Sequence, residues 1–252
     1  MDERAKFAYM QARIQARHGD RLTQEQWRQL DSCRDAGRYL QLARASNLGH
    51  WVRHFAANED PAQWERSMRA DWNRNLLALS DWVPERWRAA ILWLQSLPLL
   101  PAINHLLHGE RPMRWMTDDP LFADFDLSGE HAFRESLDRS AWSPLIANWN
   151  PAHPVDSWVS AWRISWPGND ASTNMQLEQA CSDIAATWHA SDANFGKWHD
   201  TLETKFIRLL RRRPRTILAM LGHLGLVSLD MIHLRAGLLR LHVVNHRTEA
   251  IH

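Results

Sequence analysis

LVSLDMIHLRAGLLRLHVV, residues 226–244, is almost apolar enough to span a membrane, yet Asp230, His233, Arg235, Arg240 and His242 interrupt it. Wound at about 100° per residue, the polar positions fall in two opposite rows. Asp230, His233 and Arg240 form one, and Ser228, Arg235 and His242 form the other. Between the rows lie two apolar faces, Val227, Leu234, Leu238 and Leu241 on one and Leu229, Ile232, Leu239 and Val243 on the other. A helix with two faces to bury belongs between layers of other helices. The charges argue against a spanning segment, because each is costly in hydrocarbon and about 18–20 uninterrupted apolar residues are missing.

Working outward, the rest of the chain also reads as helix. No segment shows the period-2 alternation of β-branched residues that a half-buried strand needs, while helix starts recur. Thr23-Gln24-Glu25-Gln26 is a capping box before Trp27 and Leu30. Asp60-Pro61 places a cap and an N1 proline ahead of Trp64, Met68, Trp72, Leu76 and Leu79. Val83-Pro84 opens another helix, with Trp87, Ile91 and Leu94 on one face, until Pro98 and Pro101 break it. A short helix is expected around Glu130 to Leu137 and another through Trp158 and Trp162. Three long ones follow at about 174–190, about 193–212, and about 215–224 running on through a Gly222/Gly225 bend. The expected fold is all-α, a multi-helix bundle or funnel-like assembly with its late helix covered on both faces. Residues 1–252 read as a single domain, with candidate subdivisions near 108–120 and 166–173 where loop signals concentrate.

Composition is that of an ordinary soluble globular chain, with 45% hydrophobic and 23% charged residues. Net charge is only +1, which gives no overall pull toward nucleic acid, but it is unevenly spread. Residues 1–115 are net +4, residues 116–200 net −9 and residues 201–252 net +6. Such segregation holds parts of one chain together or presents faces of opposite sign to partners. Cys33 and Cys181 lie far apart, and the opening MDERAKFAYM lacks an apolar signal core, so a reduced, cytoplasmic protein is expected. Fifteen Trp residues read as inter-helix packing, each burying about 150–250 Å².

Catalytic and metal motifs are sparse. His50/His54, His105/His108 and His242/His246 have helical ligand spacing, but Trp51, Leu106 and Val243 stand where a zinc hydrolase needs Glu. A di-iron Glu-x-x-His occurs only as Glu249/His252. Phosphate-binding glycine loops, nucleophile elbows and CxxC pairs are missing, so no catalytic, cofactor or metal residue is assigned and no cofactor is expected. One dense basic run, RLLRRRPR, contains Arg208, Arg211, Arg212, Arg213 and Arg215. Arginines at a helix C-terminus complement its dipole and also offer a docking face for acidic protein or lipid head groups.

Both ends of the chain resemble one family. FAYMQARIQARHGDRLTQEQWRQL, with Tyr9, Ala12, Arg13, Arg17, Leu22 and Leu30, resembles the first helices of the membrane-proximal central-stalk subunit of V-type and archaeal-type ATPases. The closing LVSLDMIHLRAGLLRLH is similar to that family's late helix, where an acidic residue precedes Asn-Leu-Arg. Asp230, Leu234 and Arg235 match, and His233 stands in place of Asn. The likeness covers about 70 residues in two blocks, and the chain is shorter than a typical three-repeat funnel. It implies a non-catalytic socket in ion transport, gripping the rotor axle and resting on the membrane ring, with peripheral membrane contact on the cytoplasmic face. The alternatives are an unrelated helical scaffold or adaptor and a helical, His-metal-dependent enzyme with Trp-lined pockets.

Overall fold

The structure is a computed structural model. It describes the backbone of residues 2–189 and 195–249, and side chains for 2–187 and 196–244. The described residues contain helices and no strand, so the chain is all-α. In order these are α1 (Glu3–Gly19), α2 (Gln24–Asp31), α3 (Ala36–Ala45), α4 (Gly49–Val52), α5 (Pro61–Ser80), α6 (Arg88–Trp93) and α7 (Leu100–Leu107). There follow α8 (Arg114–Thr117), α9 (Glu130–Asp138), α10 (Ser143–Ala147), α11 (Pro154–Arg163), α12 (Ala171–His189), α13 (Phe195–Arg212) and α14 (Ile217–Glu249). Short 3₁₀ segments occur at Glu85–Trp87, Leu94–Leu99 and Pro120–Phe122.

Local chemistry sets several boundaries. The Thr23 hydroxyl accepts from Gln26 N–H while the Gln26 side chain accepts from Thr23 N–H, completing the capping box that starts α2. Asp60 accepts from Ala62 N–H and opens α5. Pro98 falls inside a 3₁₀ turn and Pro101 in the first turn of α7, where a missing N–H is harmless, so the chain continues as two tight helices without a loop.

The chain forms two compact units. Unit 1 comprises Met1–Trp72 and Thr187–His252, and unit 2 comprises Asn73–Ala186. Both boundaries fall within helices, α5 and α12, rather than at loops. The stretches 108–120, which holds the short α8, and 166–173, which runs into the first turn of α12, both lie inside unit 2. The charge divides with them: unit 2 carries 8 basic and 14 acidic residues, net −6, and unit 1 carries 22 and 15, net +7.

In unit 1, α13 and α14 form a helical hairpin, and α14 also packs on α1 and α3. Leu202, Phe206 and Leu210 recur every four residues and bury one side of α13. Gly222 and Gly225 do not bend α14, which runs unbroken past them. They let α13 approach instead, since a Cβ at Gly222 would stand 2.7 Å from Phe206 O and one at Gly225 2.3 Å from the Phe206 ring. Leu234, Leu238 and Leu241 join Tyr39, Leu40, Trp51 and Trp64 in a single apolar cluster. The other apolar face of α14 is buried at Leu229, half-buried at Ile232 and Leu239, and open at Val243, which is 50% exposed. Cover on both faces therefore holds for the first half of the 226–244 stretch, while the second half opens on one side. The stretches Glu85–Leu107 and Ile217–Val244 are long and apolar enough to cross a membrane by composition, but 67% of the latter's best window is buried inside the protein.

Unit 2 is assembled around tryptophans. Trp158 Nε1–H donates to Ser96 Oγ and Trp162 Nε1–H to Ala90 O, each at 2.7 Å. Trp158 stacks on Trp162, whose ring meets Trp166 edge-on. Among the described residues nine tryptophans are buried across the two units, so packing is their principal role.

Candidate functional site

The two polar rows of α14 reach different neighbours, all within unit 1. In the first row, Asp230 is gripped by the guanidinium of Arg21, which lies in the turn between α1 and α2. Arg21 Nε donates to Oδ2 at 2.9 Å and Nη2 to Oδ1 at 2.7 Å, a bidentate pair. Nη1 of the same side chain donates to Glu203 Oε1 on α13 at 2.9 Å. The Arg21 and Asp230 side chains are only 12% and 10% exposed. Burial alone would lower the Arg21 pKa, but hydrogen bonds and charge from Asp230 and Glu203 outweigh it and raise the value above the usual one.

One turn along, His233 Nε2 meets both oxygens of Asp31 at 3.1 Å. Its ring stacks on Trp27, with centroids 4.1 Å apart and planes 6° from parallel. The same ring meets His199 of α13 edge-on at 5.7 Å. His199, Asp200 and Glu203 form a group whose ligand atoms all lie within 4.8 Å of one another. Asp230 and Glu203 thus share the Arg21 guanidinium, while Asp31 is paired with His233.

In the second row, Arg235 pairs with Glu65 of α5, and His242 meets the Trp64 ring edge-on. Arg235 is half-exposed, at 52%, so the deeply buried charge of the late helix is Asp230. Leu234 is wholly buried between these rows. Tyr9 is exposed on α1 with the Arg13 guanidinium 5.6 Å from its ring centroid. Tyr9 and Arg13 therefore sit apart from the buried network, while Asp230, Leu234 and Arg235 share one helix with three different environments.

A second feature is the turn between α13 and α14. Arg208, Arg211, Arg212, Arg213 and Arg215 are all exposed and have no ion-pair partner among the described residues. No carboxylate occurs in residues 4–19 or 204–229, so α1 and this turn are both basic. They adjoin: Arg215 N–H donates to Gln11 Oε1 at 3.0 Å, and Arg211 is close enough to His18 to lower its pKa, behind burial and Arg21. Arg215 has φ 58°, a left-handed conformation that costs a non-glycine residue about 1–3 kcal/mol and that the Gln11 bond helps to hold.

Facing α1 from α14 is His223, 1% exposed, with neither ring nitrogen hydrogen-bonded. Burial, with Arg17, His18 and Arg21 behind it, pushes its pKa down to about 3. In unit 2 an open hollow of about 480 Å³ is lined by Leu121, Phe125, Arg139 and Trp142. Its lining also includes Asp124, Ser136 and Ser140, so one carboxylate and one guanidinium border it.

The histidine pairs singled out by spacing serve locally. His105 Nε2 bonds Arg111 O and His108 Nδ1 bonds Asn104 O, closing the end of α7, and His50 lies against Trp51. The side chains of His246 and Glu249, and His252, lie outside the described residues. Sequence reading missed Arg21, Asp31, His199 and Glu203. Only the last two carry a legible signal, the i, i+4 spacing of His199 and Glu203 on one helix face. Comparison with protein-family models, curated proteins and solved structures finds no match to this chain.

Proposed function

We propose that this protein is a non-catalytic helical coupling subunit, the function implied by the likeness of its ends to the V-type and archaeal-type ATPase central stalk. It works by presenting the basic face of unit 1 to an acidic partner. The observation that carries this reading is the α13–α14 turn, where five exposed arginines stand without an acid and adjoin the acid-free α1. Exposed guanidinium groups clustered this way attract and orient carboxylate- or phosphate-bearing surfaces and steer encounter. Asp230 and Arg21 play the complementary part, fixing α14 against α1 and α13 so that the turn is held on a rigid hairpin. Arg21 is paired with Asp230 and Glu203 together, which suits a structural clamp.

The test is sedimentation of untagged protein with washed native membranes, with identification of the retained partners. Binding is expected to fall as salt rises and to weaken in Arg212→Ala and Arg213→Ala, both without loss of thermal stability. Rotary ATPase subunits among the partners support the central-stalk reading. Unrelated acidic proteins would instead make the chain a helical adaptor, and salt-insensitive binding would remove the basic face from the account.

A further inference from the structure

We propose that His199, Asp200 and Glu203 of α13, with the His233 ring of α14 beside them, bind a divalent first-row transition metal of the zinc type. The inference is independent of the coupling function and rests on a different part of unit 1 from the basic turn. Three ligand atoms, one imidazole nitrogen and two carboxylate oxygens, already lie within 4.8 Å of one another. In a tetrahedral site with ligands about 2.0–2.2 Å from the metal, neighbouring donors are about 3.3 Å apart. Closing the remaining gap needs rotation of Asp200, which is 82% exposed and free to turn.

The surrounding residues are arranged as metal ligands usually are. Ligating carboxylates are commonly fixed by an outer hydrogen bond, and Arg21 holds Glu203 through Oε1, leaving Oε2 for a metal. Ligating histidines usually give one ring N–H to a carboxylate. His233 gives Nε2 to Asp31, which leaves Nδ1 for a second interaction, and stacking on Trp27 locks the ring plane. This ring comes from a separate element and lies edge-on to His199, beside a ligand group that itself comes from α13 alone. Asp200 and Glu203 bring two carboxylates to one imidazole, which favours a divalent cation. Imidazole with carboxylate donors selects zinc or a similar borderline ion over calcium or magnesium. Bound there, the ion ties α13 to α14 beside the buried Arg21–Asp230 pair.

The experiment titrates Zn²⁺ into tag-free full-length protein by calorimetry and follows Co²⁺ by its visible absorption. One equivalent is expected, with a tetrahedral cobalt spectrum and a raised Tm. His199→Ala and Glu203→Gln should each weaken binding at least tenfold. Asp200→Asn, at an exposed position that leaves the fold intact, should weaken it several-fold with unchanged circular dichroism. His131→Ala is the control: it removes an ordinary exposed i, i+4 pair with Glu135 and should change nothing. Absence of a stoichiometric site would overturn the proposal, as would binding that survives both His199→Ala and Asp200→Asn or falls equally in His131→Ala.

Discussion

Replacing Asp230 by Ala strips the buried Arg21 guanidinium of its bidentate partner. Breaking a buried pair by removing one member costs about 3–5 kcal/mol, since the survivor stays desolvated and uncompensated. Arg21 keeps one hydrogen bond to Glu203, whose side chain is 33% exposed, so the lower end, about 3 kcal/mol, is expected. Arg235→Ala breaks a pair with Glu65 at a side chain 52% exposed, where solvent screens the charge, and should cost about 0–1 kcal/mol. The difference is at least about 2 kcal/mol, well resolved in urea denaturation followed by circular dichroism. A third variant isolates the cause. Arg21→Met with Asp230→Leu removes both charges, and apolar replacement of a buried pair is near neutral, so it should recover most of the stability lost in Asp230→Ala. If Asp230→Ala lies within about 1 kcal/mol of wild type, or the double variant is as unstable as the single, then the pair is not the clamp described above.

Other expectations follow from the same packing. Gly222→Ala drives a methyl into the backbone of α13, 2.7 Å from Phe206 O and 2.8 Å from Leu210 N, and should cost about 3 kcal/mol or more. Gly225→Ala meets the Phe206 ring first, a side chain rather than backbone, and should cost about 1–3 kcal/mol, so the order of the two melting temperatures checks the geometry. Acid should weaken unit 1 through His223: the unfolded side chain protonates near 6.5 while the folded one resists until about 3. Stability is therefore whole above pH 6.5 and falls between 6.5 and 3, by about 2 kcal/mol at pH 5, and His223→Leu should remove that part of the pH 7 to pH 5 loss in urea midpoint. Burial pushes the Cys181 thiol up to about 11, so native protein at pH 8 should alkylate there far more slowly than unfolded protein.

What the sequence disclosed and what it withheld divide along the range of the interaction concerned. The capping box at Thr23 and the cap and proline at Asp60-Pro61 act within one helical turn, and their elements begin where that chemistry places them. The two polar rows of α14 were also legible, because a period of 3.6 needs only the helix itself. Asp230 turns to the connection between α1 and α2 and His233 to α2, while Arg235 and His242 turn to α5. The identity of each partner was not legible: Arg21 and Asp230 are 209 residues apart, and the intervening sequence gives no rule that brings them together. The glycines show the same limit differently. Spacing marks Gly222 and Gly225 as breaks, whereas the approaching backbone of α13 makes them contacts inside an unbroken helix.

Burial decides where the weight of the late helix falls. In sequence, Asp230 and Arg235 are equivalent interruptions of an apolar run. Burial separates them, because the first row faces the closing of α13 on α14 and the second faces the edge where Val243 is already open. The charge at Asp230 must be matched within the protein, and it is, by Arg21 with Glu203 in support, whereas Arg240 farther along the same row is exposed. A charge on the second row is matched by water as well as by Glu65, so it is available to an outside partner at little cost to the fold. The stability drawn from charge on this helix therefore rests on Asp230 more than on Arg235. Substitution of Asp230 should register in denaturation, and that of Arg235, like those in the basic turn, should register in binding.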